Sequence, residues 1–140
     1  MELERLFAIA GNLVLPVWLL LLFVPGWRWT RRLATFVVPL VLAGLYVFLL
    51  MHGKTPEGAG FRTLAQVQAL FSSPYALLAG WVHYLAFDLF TGAWETRDAL
   101  RLKISRWVVA PCLVLTFLFG PLGLGIYLLV RLGMRREVGA

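Results

Sequence analysis

The chain has 140 residues, of which 61% are hydrophobic and only 14% charged, and its mean hydropathy is +0.82. Because soluble domains are roughly one quarter charged, this composition excludes an ordinary soluble domain and indicates a single integral membrane domain, residues 1–140. The net charge of +6 does not indicate nucleic-acid binding, since the basic residues cluster at the ends of apolar runs, where they contact lipid headgroups. The single cysteine, Cys112, cannot form a disulfide within the chain, so the sequence leaves the redox compartment open.

Four apolar runs are each long enough to form a helix across about 30 Å of hydrocarbon, which takes roughly 20 residues. They cover residues 6–24, 33–51, 75–94 and 107–130. Their apolarity extends around the whole helix and lacks the alternation of membrane β-strands, so the predicted fold is an all-α, four-transmembrane-helix bundle. The first run is interpreted as a retained span, because "MELER" is acidic as well as basic and no small-residue cleavage site follows it.

Local signals mark where these helices begin and end. "PGW" at 25–27 ends the first span, and in "SSP" Ser73 is predicted as the N-cap and Pro74 as the first helical residue of the third. Ser105 is predicted to cap the fourth. The segment "FRTLAQVQALF", residues 61–71, places apolar residues on one side, which predicts a short interfacial helix between the second and third spans.

The distribution of basic residues hardly determines the orientation of the chain in the membrane. An even number of spans places both termini on one side, and six basic residues on that side then oppose seven on the other. The flanks of the first span, Arg5 against Arg28, Arg31 and Arg32, favour an outside N-terminus and a cytoplasmic "WETRDALRLKISR" segment.

The third span carries ionisable residues at membrane depth. At about 100° per residue, one stripe of this helix comprises Trp81, Tyr84, Asp88, Thr91 and Glu95. His83 lies about 140° away from Asp88, so the two do not chelate one ion but are predicted to flank a cleft between spans and to face protein rather than lipid. Ionisable groups inside a membrane are functional candidates by default. The alternative for Asp88 is a structural hydrogen bond to Asn12, a tyrosine or the backbone.

The candidate site residues fall into two groups. The candidate catalytic residues are His83, Tyr84 and Asp88. The candidate substrate-binding residues, which are aromatic, charged or amide side chains near the third span, are Asn12, Trp81, Phe87, Trp94, Glu95, Asp98 and Arg101. For the charged residues from 95 to 101 the competing interpretation is a solvated helix end, in which the two acids and the two arginines neutralise one another.

Three prolines lie inside the predicted spans, at positions 16, 39 and 121. Each lacks an N–H and so frees the carbonyl four residues earlier, at Asn12, Thr35 and Phe117. These carbonyls are candidates for lining a polar pocket that faces the third span, although proline kinks are common in membrane helices. Around Pro121, the glycines of "FGPLGLGIYLLVR" favour close approach of helices.

Other chemistries have little support in the sequence. A haem held by two histidines would need both at one depth, whereas His52 lies at the end of the second span and His83 lies deeper. The sequence contains no phosphate-binding loop, nucleophile elbow, CxxC or HExxH motif, and the other spans offer few carboxylates for a metal that His83 would hold. The prediction is therefore a site without cofactor or metal.

Two segments, "HYLAFDLFTGAWETRDALR" at 83–101 and "FGPLGLGIYLLVR" at 119–131, resemble the abscisic-acid-deficient-four family of small four-span membrane proteins, whose plant members are needed to make neoxanthin. The resemblance covers about residues 74–131 and is fainter in the first two spans. It implies a protein linked to carotenoid conversion, the opening of an epoxide to an allene without net redox change. The residues that match the family's motif are His83, Asp88, Trp94, Asp98 and Arg101.

The expected function is a cofactor-independent isomerase that acts on a carotenoid or another isoprenoid lipid. Epoxide-to-allene isomerisation needs an acid at the oxygen and a base at a polyene C–H, and Asp88 and His83 are candidates for these roles. The alternative is a non-catalytic scaffold that binds a pigment or lipid and presents it to a partner enzyme. The expected partners are membrane lipids and no nucleic acid, a homo-oligomer is left open, and the expected location is a bacterial cell membrane, because the chain lacks a plastid transit peptide.

Overall fold

The computed structural model describes residues 2–138, with the side chains of those up to Met134. All regular secondary structure in the described residues is helical, with no strand, as the sequence predicts. The helices are α1 (Glu2–Phe23), α2 (Arg28–Arg32), α3 (Val38–His52), α4 (Leu64–Leu70), α5 (Pro74–Leu102), α6 (Arg106–Phe119) and α7 (Pro121–Val138). A π-helical segment, Leu33–Val37, joins α2 to α3, so that Arg28–His52 is one continuous helix of 25 residues.

Three helices are long and apolar enough to cross a membrane: α1, Arg28–His52 and α5. They correspond to the first three predicted spans, and α5 continues eight residues beyond the predicted end at Trp94. The predicted N-cap is confirmed, since Ser73 accepts a hydrogen bond from the backbone N–H of Ala76 and Pro74 begins the helix. Ser105 likewise accepts from the N–H of Trp107 at the start of α6.

The prediction of one helix over residues 107–130 is wrong. Gly120 interrupts it with φ 29° and ψ −88°, a conformation that a residue with a Cβ adopts only under strain. Pro121 follows as the first residue of α7, where its missing N–H and fixed φ favour a helix start. A four-span bundle is therefore not confirmed, because the fourth apolar run is two shorter helices.

These two helices fold back on each other as a hairpin. A Cβ atom on Gly123 would lie 2.1 Å from the backbone N of Thr116, so α7 passes α6 at a distance that only glycine permits. Further along α7, Tyr127 packs edge-on against Trp94 of α5, with ring centroids 5.6 Å apart. The predicted close approach of the glycine-rich segment is confirmed at Gly123, whereas nothing lies within 4 Å of a Cβ on Gly125.

The start of the hairpin is fixed to the end of α1. Arg106, the first residue of α6, donates hydrogen bonds of 3.2 Å to the carbonyls of Leu22 and Phe23. These carbonyls belong to the last turn of α1, where backbone acceptors have no partner within the helix. At the other end of this interface, Trp18 packs on Phe117 with ring centroids 5.4 Å apart. α6 therefore runs antiparallel to α5 and alongside α1.

The predicted short helix between the second and third spans is confirmed as α4. Thr63 caps it by accepting a hydrogen bond from the N–H of Gln66. Leu64 is 84% exposed and no residue of α4 is buried, so its packing within the chain is slight. The interfacial position of α4 stays a prediction.

Candidate functional site at the hairpin tip

Asp88 lies opposite the break between α6 and α7. A Cβ atom on Gly120 would lie 2.9 Å from Oδ1 and 3.2 Å from Oδ2 of Asp88, so the glycine leaves the space that the carboxyl occupies. Oδ2 is buried and has no hydrogen-bond partner among the described residues. A buried oxygen without a donor is costly, and native structures retain few such groups away from functional sites. Asp88 is therefore the centre of the candidate site.

Tyr84 closes the broken end of α6. Its hydroxyl lies beside Asp88 and within hydrogen-bond distance of two carbonyls, at 3.3 Å from that of Phe117 and 3.1 Å from that of Leu118. The sequence predicts a free carbonyl at Phe117 because Pro121 has no N–H, and the structure places a donor there. Tyr84 thus satisfies backbone acceptors that apolar surroundings would otherwise leave unpaired.

The same side of α5 continues from Asp88 into an open cleft towards the N-terminus of α1. The cleft has a volume of about 360 Å³ and is lined by Leu3, Glu4, Phe7, Pro74, Leu77, Leu78 and Trp81. Trp81 connects this α1–α5 cleft to the site, since its ring stacks on that of Tyr84 at 5.3 Å and lies 5.7 Å from that of Phe7. The cleft extends along α5 as far as Trp81, and the hairpin covers α5 beyond Asp88.

Glu95 lies two turns beyond Asp88 on the side covered by the hairpin. The side chain is 0% exposed, and both carboxyl oxygens lie within 3.0 Å of the Thr116 hydroxyl on α6. The interpretation of this region as a solvated helix end is therefore wrong for Glu95. That interpretation follows from the charges along α5 alone, whereas the hairpin that covers them comes from later in the chain.

Asp98 holds the return helix of the hairpin. It accepts hydrogen bonds from the Tyr127 hydroxyl at 2.7 Å and from Nε of Arg131 at 2.6 Å, both on α7. Arg101 donates to its other oxygen at 2.7 Å, which confirms one of the ion pairs expected within this segment. Asp98 is 5% exposed, so the solvated interpretation is wrong here also, because the main partner of Asp98 is Arg131.

His83 lies on another side of α5, towards α3. It borders a groove of about 330 Å³ whose other lining residues are Pro39, Leu42, Ala43, Tyr46, Val82, Ala86, Phe87 and Phe90. The imidazole stacks on Phe87 with ring centroids 4.7 Å apart, and the side chain is exposed. The structure does not bring His83 and Asp88 to one cleft: His83 flanks the open groove between α3 and α5, with its ring centroid 6.1 Å from that of Tyr46 on α3.

The remaining predicted binding residues do not surround Asp88. Asn12 lies on an exposed part of α1 and so does not line the pocket predicted from Pro16. Phe87 is 63% exposed in the α3–α5 groove. Trp94 packs against Tyr127, and Arg101 pairs with Asp98. The last two stabilise the hairpin and are not near its tip.

Four residues of the structural site come from the fourth apolar run or the position directly after it and were not candidates from the sequence: Thr116, Gly120, Tyr127 and Arg131. One signal for them was present. Tyr127 and Arg131 lie four residues apart, on one side of a helix, in the same glycine-rich stretch as Gly120 and Gly123. A single helix over residues 107–130 would place Arg131 on the opposite side of the membrane from Asp98, so the sequence did not indicate that these two residues pair.

Among the residues that the structure describes, no three His, Cys, Asp or Glu side chains cluster as metal ligands would. The carboxyls of Asp88, Glu95 and Asp98 instead meet a helix break, a hydroxyl and arginines. The hairpin tip contains a carboxyl with an unpaired oxygen next to a phenol, two turns along α5 from an apolar cleft. Such a group exchanges protons with a ligand that reaches it.

Comparison with known proteins identifies the chain. The profile of the ABA DEFICIENT 4-like family matches residues 5–127, which include α1 to α6 and the hairpin tip. The chain is 32% identical over 131 residues to Protein ABA DEFICIENT 4, chloroplastic, of Arabidopsis thaliana; the match covers 86% of this chain and 58% of that protein. No solved structure matches significantly. The chain belongs to the ABA DEFICIENT 4-like family.

Proposed function

We propose that the chain crosses the membrane three times, with α1, Arg28–His52 and α5, and that the α6–α7 hairpin enters from one side and returns to it. The 14 residues of α6 rise about 21 Å, short of the roughly 30 Å that a span needs. Arg106 at the start of α6 and Arg131 near the end of α7 both contact the side where α1 and α5 end. This arrangement replaces the four-span bundle expected from composition.

The arrangement changes the expected position of the C-terminus. With a returning hairpin, ten basic residues lie on one side: Arg28, Arg31, Arg32, Arg97, Arg101, Lys103, Arg106, Arg131, Arg135 and Arg136. Three lie on the other: Arg5, Lys54 and Arg62. The positive-inside rule then favours a cytoplasmic C-terminus and an outside N-terminus in a bacterial cell membrane, which stays the predicted location.

Reporter fusions at the two termini and in the loop at 24–27 test this topology. We expect the C-terminal reporter to share the side of the loop and the N-terminal reporter to lie opposite. Finding both termini on one side would restore the four-span arrangement.

Within this arrangement, we propose that the protein acts on a carotenoid or a similar long isoprenoid lipid at the hairpin tip. The observation that carries this proposal is Asp88, whose buried Oδ2 lacks a donor at the hairpin tip, two turns along α5 from Trp81 in the apolar α1–α5 cleft. Membership of the ABA DEFICIENT 4-like family and the aromatic rings of Phe7, Trp81 and Tyr84 along the cleft support a polyene ligand.

The chemistry that fits one carboxyl at this position is isomerisation by proton transfer. Protonated Asp88 gives its proton to an epoxide oxygen as the C–O bond breaks, which leaves a cation delocalised along the polyene. The carboxylate then removes a proton from a polyene carbon as the allene forms, and Asp88 regains its starting state. One proton is added and one is lost, so no cofactor is needed.

In this scheme Tyr84 orients the carboxyl and supports the end of α6. The placement of His83 in the α3–α5 groove argues against its role as the base in the same step. Its own function stays a prediction, tested separately below.

The second candidate is a non-catalytic scaffold that binds a pigment or lipid for a partner enzyme. The open α3–α5 groove favours it, because a second apolar surface with one imidazole suits binding as well as it suits lipid contact. Both candidates use isoprenoid binding, and they differ in whether the bound lipid is converted.

The test is to purify the protein, identify co-extracted lipids by mass spectrometry and incubate them with fresh protein. We expect an isomer of unchanged mass, formed with turnover, and its loss in Asp88→Asn. Stoichiometric binding without conversion would support the scaffold instead. If no isoprenoid is co-extracted and none binds, both candidates fail.

A further inference from the structure

Glu95 is a carboxyl without a cation in the protein interior. Its side chain is 0% exposed, and both salt bridges among the described residues go to Asp98 instead. The ionisable side chains that interact electrostatically with it are Asp88 on α5, Cys112 on α6 and Tyr127 on α7, none of which is positively charged. A carboxylate here would therefore be desolvated and unpaired, which is among the most costly arrangements in a protein.

The hydrogen bonds around Thr116 point to a second proton. The Thr116 hydroxyl lies 2.8 Å from the carbonyl oxygen of Cys112 and 3.0 and 2.9 Å from the two oxygens of Glu95. A hydroxyl has one proton to donate, and a backbone carbonyl can only accept. If Thr116 donates to Cys112, the contact with Glu95 needs a proton that belongs to Glu95.

We propose that Glu95 is a neutral, protonated carboxylic acid in the folded protein and that its O–H donates to Thr116. This makes Glu95 a positioning residue, because Thr116 is also the residue against which Gly123 packs. The bond therefore fixes α6 at the level where α7 crosses it, one turn before the tip that meets Asp88. The connection to Asp88 chemistry rests on the proposed function, whereas the protonation of Glu95 does not.

Ionisation of Glu95 is then expected to loosen the hairpin. At alkaline pH the carboxyl loses the proton that bonds Thr116 and leaves a charge between α5 and α6. Glu95→Gln keeps a donor of the same shape, since its amide donates to Thr116 at any pH. The variant should hold the hairpin as the neutral acid does and remove its sensitivity to pH.

Infrared spectroscopy tests the protonation directly. The protein in lipid nanodiscs at neutral pH should show a carbonyl stretch of a protonated carboxylic acid that is lost in Glu95→Gln and kept in Asp88→Asn, distinct from the stretch of protonated Asp88, which Asp88→Asn removes. Thr116→Val should shift this band, because the acid loses its hydrogen-bond partner, whereas Thr116→Ser should leave it in place. If Glu95→Gln removes no such band from the spectrum, Glu95 is ionised and the proposal is wrong.

The single cysteine reports on the hairpin without any assay of activity. Cys112 is 2% exposed and lies one turn from Thr116. We expect the wild type to be labelled by a thiol reagent at least tenfold faster than Glu95→Gln at alkaline pH, and equally slowly at neutral pH. A charge on Glu95 disfavours the thiolate of Cys112 in the wild type, so faster labelling of the wild type reports exposure of the thiol and not its ionisation.

Equal labelling rates at every pH would overturn the positioning role. Asp88→Asn serves as the control and should keep the pH response of the wild type, because Asp88 does not contact Thr116. Neither measurement depends on a substrate, so loss of the isomerase proposal would leave this test unaffected.

Discussion

Each end of the α6–α7 hairpin meets a carboxyl group of α5, and the two carboxyls differ in the hydrogen bonds that they accept. At the end near Arg131, Asp98 accepts bonds from a tyrosine and two arginines. At the tip, Oδ2 of Asp88 has no donor among the described residues. Both carboxyls lie on α5, ten residues apart. The difference indicates that one end stabilises the hairpin and that the other is available to a ligand.

This division of roles follows from the physical cost of each group. A charged carboxylate at a membrane boundary is retained when arginines pair with it, and breaking such a pair leaves an uncompensated charge. A carboxyl deeper in the apolar region costs about 2.5–3.5 kcal/mol on insertion scales. Such a cost without pairing is expected where the group has a function. The following substitutions test the two ends separately.

The largest effect is expected from Asp98→Ala. It leaves Arg131 and the Tyr127 hydroxyl without their acceptor, and breaking a buried pair of this kind costs about 3–5 kcal/mol. The loss should appear as a lower thermal transition in detergent, together with faster labelling of Cys112. The matched control is Arg101→Ala: the Arg101 side chain is 63% exposed, so its pair with Asp98 should matter by less than about 1 kcal/mol.

Asp88→Asn should affect activity and spare folding. The amide retains the shape of the carboxyl but cannot exchange a proton, so conversion should fall by about 10²–10⁴-fold, the usual contribution of general acid–base catalysis. The thermal transition should stay within the change of about 0.5 kcal/mol that neutral substitutions produce. Asp88→Leu should damage both. If Asn and Leu destabilise equally and ligand binding persists, Asp88 is structural.

A smaller effect on stability is expected where α7 passes α6. Gly123→Ala would bring a Cβ to 2.1 Å from the backbone N of Thr116, and such overpacking costs about 1–3 kcal/mol. Gly125→Ala is the control, because nothing lies within 4 Å of its Cβ and alanine favours the helix by about 1 kcal/mol. If both variants behave alike, the two helices do not pack as described.

The smallest effect is expected from His83→Ala. Its side chain is exposed in the α3–α5 groove, so the free energy of unfolding should change by about 0.5 kcal/mol or less. Conversion at the hairpin tip should persist within a few-fold. A loss of conversion as large as that in Asp88→Asn would indicate that His83 and Asp88 act in the same reaction, as the acid–base pair predicted from the sequence.

The sequence predicted the parts of the fold that depend on local chemistry. Apolar runs identified α1, Arg28–His52 and α5, and Ser73 with Pro74 gave the start of α5. The polar stripe of α5 also held, since Tyr84, Asp88 and Glu95 all meet the hairpin. Periodicity suffices for such features, because a helix fixes the relative direction of its own side chains.

The return of α7 could not be read from apolarity. A run of 24 residues with glycine and proline in it fits one kinked span as well as two short helices, because proline is tolerated in membrane helices. Tertiary contacts distinguish the two arrangements: Arg131 bonds to Asp98 on α5, and Thr116 packs against Gly123, where only glycine leaves enough space. Tertiary contacts also explain the error for Glu95. The charges on α5 alone predict that Glu95 is solvated, whereas packing of α6 buries it.

The depth of the hairpin has a consequence for where a ligand comes from. The α1–α5 cleft lies beside the first residues of α1 and α5 and extends along α5 as far as Trp81, so in the proposed arrangement it faces one half of the bilayer. A lipid in the other leaflet meets the α6–α7 hairpin instead and would have to change leaflets before reaching the carboxyl. If the chain crosses the membrane as proposed and acts on a lipid at Asp88, it would select for the leaflet in which that lipid resides, independently of any chemical recognition of the lipid.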